Sequence, residues 1–324
     1  MEKRLSGGYI QLWLGMNKDA TWKGVVSEMK SLGMNTIIIQ YMSSGVTFCE
    51  SVSSAAMILK YAHENDMKVF LGLSKGDVAA GSSASIRTDK LRESKKECEA
   101  VACMLKKAFK DEPAFYGWHI PLESWMSNYD ETTTANLHDY YKELTAELKR
   151  ILPKKVLISP FVNKPNEEHH TNLKRTTPER VGIKYTKILQ DTGIDFLALQ
   201  DGVGAEYISV SEPNLPKYFA EMCDACKANN IELWANVESF KKLVLSDDSV
   251  KRTAADIQRF EQQLAVAQGS SRIVTFDFFH YMNIKNILLG TARPDGYEDA
   301  VGALNEGYKR WLAARETTIE SESC

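Results

Sequence analysis

The 324-residue chain is 44% hydrophobic and 26% charged, enough apolar material for a sizeable core, which excludes disordered, collagen-like and low-complexity readings. Forty Lys and Arg against 43 Asp and Glu give a formal net charge of −3, so the chain lacks the basic footprint that a phosphate backbone requires, and nucleic acid is not an expected partner. Six cysteines are too sparse for a disulfide scaffold, and no stretch approaches the ~20 apolar residues of a membrane span.

The first residues run into an apolar strand without a signal-peptide pattern, so a cytoplasmic protein with no membrane partner is expected. Short β-rich runs then alternate with amphipathic runs to the end of the chain. Strand 9–14 is followed by helix 22–32, strand 36–42 by helix 53–65, strand 68–73 by helix 91–109, and strand 115–120 by helix 134–151. Strand 156–161 precedes helix 178–191, strand 196–200 helix 216–228, strand 232–237 helix 255–268, and strand 272–278 helix 297–314. Most of these strands are continuous apolar runs, the pattern of parallel strands covered on both faces. Eight strands in strict alternation with eight helices predict a single (β/α)8 TIM barrel over about residues 7–314, with a polar tail at 315–324 and no linker within 1–324. A doubly wound sheet is the other reading, but no Gly-x-Gly-x-x-Gly follows the first strand.

Helix-to-strand connections are brief, whereas strand-to-helix connections are long and polar: 74–90, 163–177, 201–215 and 238–253. Long loops gather at the carboxyl ends of barrel strands, which places the functional face there. The small-residue run 79–85 reads equally as a lid or a surface loop. Cys223-x-x-Cys226 lies within a helical pattern and reads as structural, and His169-His170 sits in a charged loop with no metal-ligand spacing around it, so neither metal nor cofactor is expected.

The strand ends carry a polar and aromatic inventory. Glu123 follows strand four and Glu238 follows strand seven, and acids at those two positions face each other across a barrel mouth. Glycoside hydrolysis needs two carboxyl groups, one to protonate the departing oxygen and one to attack the anomeric carbon or activate water; their separation sets retention or inversion. Glu123 follows an apolar strand between Trp118 and Trp125, surroundings that raise a carboxyl pKa as a general acid requires. Trp13, Tyr41, Trp125, Trp234 and Tyr281 offer rings to the C–H faces of a pyranose. Gln11, Gln40, Asn163, Gln200, Asp201, Asn236 and Asp277 offer hydrogen bonds to its hydroxyls. Asp201 reads equally as a turn-capping residue beside Gly202 and Gly204, and Asp277 as a backbone partner at the rim.

Gly8-Tyr9-Ile10-Gln11, the run 33–40, the run 115–123 ending Ile120-Pro121-Leu122-Glu123, the run 195–204 with Gln200-Asp201-Gly202, and Trp234-Ala235-Asn236-Val237-Glu238 together resemble one family. It is a bacterial family of glycoside-hydrolase-like TIM barrels, long catalogued as a domain of unknown function, and the likeness spans about residues 7–312. The resemblance implies a barrel of the large glycosidase clan, with Glu123 as acid/base, Glu238 as nucleophile and a retaining outcome. Leu122 stands where that clan usually places Asn, so the contact to the sugar 2-hydroxyl must come from elsewhere. A glycan or glycoside is the expected partner. The reading from another class is a carbohydrate-binding barrel that does not hydrolyse. Metal-dependent amidohydrolases fail for want of His-x-His on strand one, where Gln11-Leu12-Trp13 stands, and enolase-type and phosphate-binding barrels for want of their acids and Gly-rich turns.

Overall fold

The computed structural model of the chain describes residues 3–12, 18–43, 48–75, 88–126, 129–162, 177–244, 249–284 and 294–322. Runs such as Thr36–Ile39 and Lys68–Gly72 are buried almost throughout, so both faces need cover, and parallel pairing with helices outside supplies it. Strand one is Leu5–Ile10, strand two Thr36–Ile39, strand three Lys68–Gly72 and strand four Phe115–Ile120. Strand five is Lys155–Ile158, strand six Phe196–Gln200, strand seven Glu232–Glu238 and strand eight Arg272–Phe276. Each pairs in parallel with the next, and strand eight returns to strand one through Leu5↔Ile273 and Gly8↔Thr275. The result is a closed (β/α)8 TIM barrel.

The helices Asp19–Ser31, Phe48–Glu64, Thr88–Phe109, Glu131–Ile151, Pro178–Leu189, Leu215–Ala228, Ile257–Val266 and Tyr297–Glu322 lie between the strands and after the last. The fourth shows why they form. Asp130 accepts the Thr133 N–H as an N-cap, and Leu137, Tyr141, Leu144, Leu148 and Ile151 recur at three- and four-residue spacing as one buried stripe. Thr177 caps the fifth helix in the same way, with Pro178 opening its first turn.

Several boundaries differ from expectation. Strand one begins at Leu5 rather than residue 9, because Gly7 and Gly8 belong to it: a Cβ on Gly7 would strike the backbone oxygen of Thr36 on strand two. The final helix continues to Glu322, through most of what the composition marks as a tail. The connection 238–253 is no simple loop. It carries an antiparallel hairpin, Phe240–Val244 with Val250–Ala254, raised directly on the end of strand seven. Strand eight stops at Phe276, and Asp277 caps a short helix, Phe278–Tyr281. The run 79–85 and His169-His170 lie outside the described residues. Cys223 and Cys226 are unbridged on the sixth helix, Cys226 buried in its packed face. Among the described residues, no helix is long and apolar enough to cross a membrane.

Side chains alternate between the barrel interior and the helix layer along each strand. On strand seven the inward set is Trp234, Asn236 and Glu238. The lowest level is an aromatic plug: Trp234 packs against Phe196 at 4.7 Å and Phe70 at 5.8 Å between ring centroids. Gly117 on strand four makes room for it, since a Cβ there would come within 2.5 Å of the Phe70 ring. Above the plug the interior turns polar.

Candidate active site

The pocket at the carboxyl ends of the strands is lined by Tyr9, Gln40, His119, Pro121, Glu123, Ser159, Gln200, Asn236 and Phe276. Gln40, Glu123, Gln200 and Asn236 were expected from their strand-end positions. Tyr9, His119 and Ser159 were not, and they form its deepest polar layer.

His119 is almost fully enclosed at 2% exposure. Its Nδ1 lies 2.9 Å from the Gln40 carbonyl oxygen, which can only accept, so Nδ1 carries the proton. Burial pushes the ring's pKa down to about 4, leaving a neutral imidazole. Its Nε2 is therefore an acceptor, and it has no partner among the described residues. Ser159 donates its hydroxyl to the Ala198 carbonyl at 2.7 Å, so it can only accept from Asn236 Nδ2 at 3.4 Å. That orients the Asn236 amide and leaves Oδ1 as a second unpaired acceptor. The Tyr9 hydroxyl, buried beside Ser159 but outside hydrogen-bonding geometry, is a third unpaired polar atom. The Tyr9 ring stands edge-on to His119 at 5.5 Å. Among the described residues these three buried polar atoms lack a protein partner and meet in one small polar pocket.

Glu123 lines the same pocket. Its Oε1 accepts from Gln40 Nε2 at 3.3 Å, and Gln40 Oε1 in turn accepts from Gln11 Nε2, so Gln11 acts through Gln40. Burial raises the Glu123 pKa, against the pull of Lys75 and Arg252. Lys75 lies over the half-exposed Tyr41 ring at 5.5 Å, which places Tyr41 at the rim.

Glu238 has very different surroundings. Its Oε2 accepts the Ala205 N–H at 2.7 Å, and its own N–H donates to Asp201. Gly204 permits that approach: a Cβ there would lie 2.8 Å from Glu238 Cβ and 2.5 Å from the Phe240 carbonyl. Burial first, and then the Asp201 charge, push the Glu238 pKa up to about 8. Arg252, on the hairpin, lowers the pKa of both Glu123 and Glu238, and Tyr207 lies within electrostatic reach of both. Neither Arg252 nor Tyr207 was singled out from sequence.

Four expected substrate contacts are corrected. Asp201 is fully enclosed; its Oδ1 accepts from Val203 and Glu238 N–H and its Oδ2 from Gln263 Nε2 at 2.6 Å, so it positions the end of strand seven. Asp277 accepts the His280 N–H at 2.7 Å and pairs with His280 Nδ1 at 2.6 Å, the rim role rather than a sugar contact. Trp234 belongs to the plug, with its indole N–H on Glu232. It sits four residues before Glu238, about 13 Å lower at ~3.3 Å per residue. Tyr281 is buried against Phe240 at 5.4 Å and does not line the pocket. Trp13 and Asn163 lie outside the described residues; Trp125 is described by its backbone, which pairs in parallel with Phe161.

The profile of a domain of unknown function, DUF4434, matches residues 5–287. The chain belongs to the DUF4434 family. No curated protein matches the chain. Among solved structures, a Bacteroides thetaiotaomicron protein provisionally named an alpha-L-fucosidase superposes with a TM-score of 0.70 at 18% identity, covering 96% of each chain. An endo-1,4-beta-mannanase from Rhizomucor miehei follows at 0.56 and 12% identity, covering 94% of this DUF4434 chain and 95% of its own. A GH99 endo-alpha-mannosidase from B. thetaiotaomicron matches at 0.54 and 11%, covering 97% and 98%. At these identities the likeness is one of fold.

Proposed function

We propose that this DUF4434 chain is a retaining glycoside hydrolase, with Glu123 as general acid/base and Glu238 as nucleophile. The observation that carries the reading is a pair of buried carboxyl groups at the ends of strands four and seven, both within reach of Arg252, beside a polar pocket at the barrel mouth. Structural relatives that are themselves named as glycosidases support it. Glu123 has one long contact from an amide, so it can gain and lose a proton with little rearrangement. Glu238 has one oxygen pinned by the Ala205 N–H, which leaves the other to approach an anomeric carbon in a defined direction. The reaction is a double displacement. Glu123 protonates the departing oxygen as Glu238 attacks, and Glu123 then deprotonates the water that releases the sugar.

The test is a panel of aryl glycosides with the wild-type chain, Glu123→Gln and Glu238→Gln. Turnover of at least one glycoside, lost by ~10²–10⁴ in each variant, is expected. Full activity in both variants would refute the assignment. Proton NMR of the first-formed product reads the anomeric outcome, and a net inversion would rule out the nucleophile role of Glu238.

A further inference from the structure

The hairpin beyond strand seven sorts its charges by face. Cross-strand partners of an antiparallel pair share a face, so Phe240, Lys242 and Val244 look the same way as Ala254, Arg252 and Val250, while Lys241 and Lys251 look the other way. Lys241 is neutralised by Asp256, at 2.7 and 2.9 Å. On the first face Lys242 and Arg252 stand directly opposite each other, and among the described residues neither has a carboxylate partner. Like charges so placed repel. Each is held over a ring, Lys242 over Tyr207 at 5.7 Å and Arg252 over Phe240 at 4.6 Å. Phe240 packs on Phe276 at the end of strand eight, and Tyr207 and Arg252 both lie within electrostatic reach of Glu123 and Glu238, so this face turns toward the mouth. Val244 and Val250, 72% and 58% exposed, continue it outward as an apolar shelf. Lys75, beyond strand three, adds a third cation from the opposite side of the ring of strands.

We propose that Lys242 and Arg252 form an anion subsite on the rim, which seats a carboxylate or sulfate group carried by the glycan on a ring beside the one cleaved. The inference rests on the glycosidase reading for its choice of a glycan, and it adds that the glycan is acidic. The carboxyl pair does not use up the charge of the rim. With Glu123 protonated at the start of the cycle, the pair carries one negative charge against Lys75, Lys242 and Arg252, and Asp201 has Arg259 as its own counter-charge. An anionic group brought by the ligand relieves the repulsion between Lys242 and Arg252, whereas a neutral sugar leaves it in place. Arg252 offers that group a planar fork and Lys242 a compact point charge. The half-exposed Tyr207 ring and the valine shelf give the C–H faces of the same sugar a surface to cover.

The experiment is calorimetric titration of the wild-type chain with matched acidic and neutralised oligosaccharides: uronic-acid tetrasaccharides against their methyl esters, and sulfated galactan tetrasaccharides against their desulfated forms. At least one acidic member binds about tenfold or more tighter than its neutral counterpart, and the arm that responds tells carboxylate from sulfate. Raising the salt from ~50 to ~500 mM removes most of that preference. Lys242→Gln and Arg252→Gln each reduce it by about three- to fivefold and the double variant abolishes it, with the thermal midpoint kept or raised because the repulsion is gone. Lys251→Gln removes the same charge from the opposite face and leaves the preference as it was. The proposal is overturned if no acidic member outbinds its neutral counterpart, if the preference ignores salt, or if Lys251→Gln costs as much as Lys242→Gln. The two readings fail separately. Acid-dependent binding without cleavage of any aryl glycoside sinks hydrolysis and leaves the subsite standing; cleavage of neutral aryl glycosides with no acidic preference in either arm does the reverse.

Discussion

The ends of strands four and seven each present a buried carboxyl group, yet they hold it in opposite ways. Glu123 rests in the pocket wall with one 3.3 Å contact from a glutamine amide, between two cations that reach it through space. Glu238 is clamped, its oxygen on the Ala205 N–H, its backbone on Asp201 and its carbonyl on Gln263 and Arg259. A group that trades a proton twice per cycle gains from looseness, whereas a group that must meet one carbon gains from fixed direction. On the proposed reading, the half-buried Glu123 and the buried Glu238 are suited to different tasks.

The contrast breaks most sharply if each carboxyl is deleted. Glu238→Ala and Glu123→Ala should each lose on the order of 10³-fold or more in turnover of a slow aryl glycoside. Added azide should then rescue them with opposite product configurations, inverted for Glu238→Ala and retained for Glu123→Ala, as resolved by NMR. The same configuration from both would erase the distinction. Next in size is Gly204→Ala, which drives a methyl into Glu238 and the Phe240 carbonyl. Its expected loss is ~10² in kcat/KM from a displaced carboxyl, with about 1–3 kcal/mol in stability by denaturant titration. Unchanged kcat/KM would mean that the clamp is not what orients Glu238.

The pH profile sharpens the comparison further. The bell of kcat/KM takes its limbs from the two carboxyls of the free enzyme, and its alkaline limb should fall near 8, the value to which burial and Asp201 push Glu238. The limb stays there whichever of the two must carry the proton; only the height of the bell depends on that. Asp201→Asn removes the negative neighbour, so Glu238 ionises more readily and the alkaline limb moves to lower pH. Gln263, whose Oε1 is unpaired, can turn to meet the new amide. Arg252→Met is the smallest effect, because for Glu238 the arginine weighs less than Asp201 and for Glu123 less than Lys75. It stabilises both anions, so its loss should raise both limbs together. A limb that moves alone would place Arg252 beside only one carboxyl.

Much of the barrel was legible because its signal is local: apolar runs of strand length, helical stripes and caps recur eight times over. Gln40, Glu123, Gln200, Asn236 and Glu238 were legible for a related reason, since the last residues of a parallel strand must face the mouth. Trp234 was misplaced because residues near a strand end do not share one height; two pleats below Glu238 is the plug, not the mouth. Tyr9 and His119 lie within apolar strand runs and were not singled out as site residues. The parity of strands one and four, counted inward in step with Gln11 and Pro121, was the signal that would have found them. Arg252 left no such trace. It reaches the carboxyls through the cross-strand register of the hairpin, Lys242 opposite Arg252, and that pairing is set by tertiary contacts rather than by spacing.

Strand seven places an aromatic support, a buried pocket amide and a carboxyl on one column, with Leu233, Ala235 and Val237 on the other. A one-residue slip would exchange the columns wholesale, turning an aliphatic face into the barrel and three working side chains into the helix layer. Inserting or deleting a residue within Glu232–Glu238 thus leaves no graded intermediate between active and unfolded. Change in ligand preference must come through substitution in place or through the hairpin beyond residue 239. Along this stretch, the frame in which the chain is read and the chemistry proposed for it are inherited as one character.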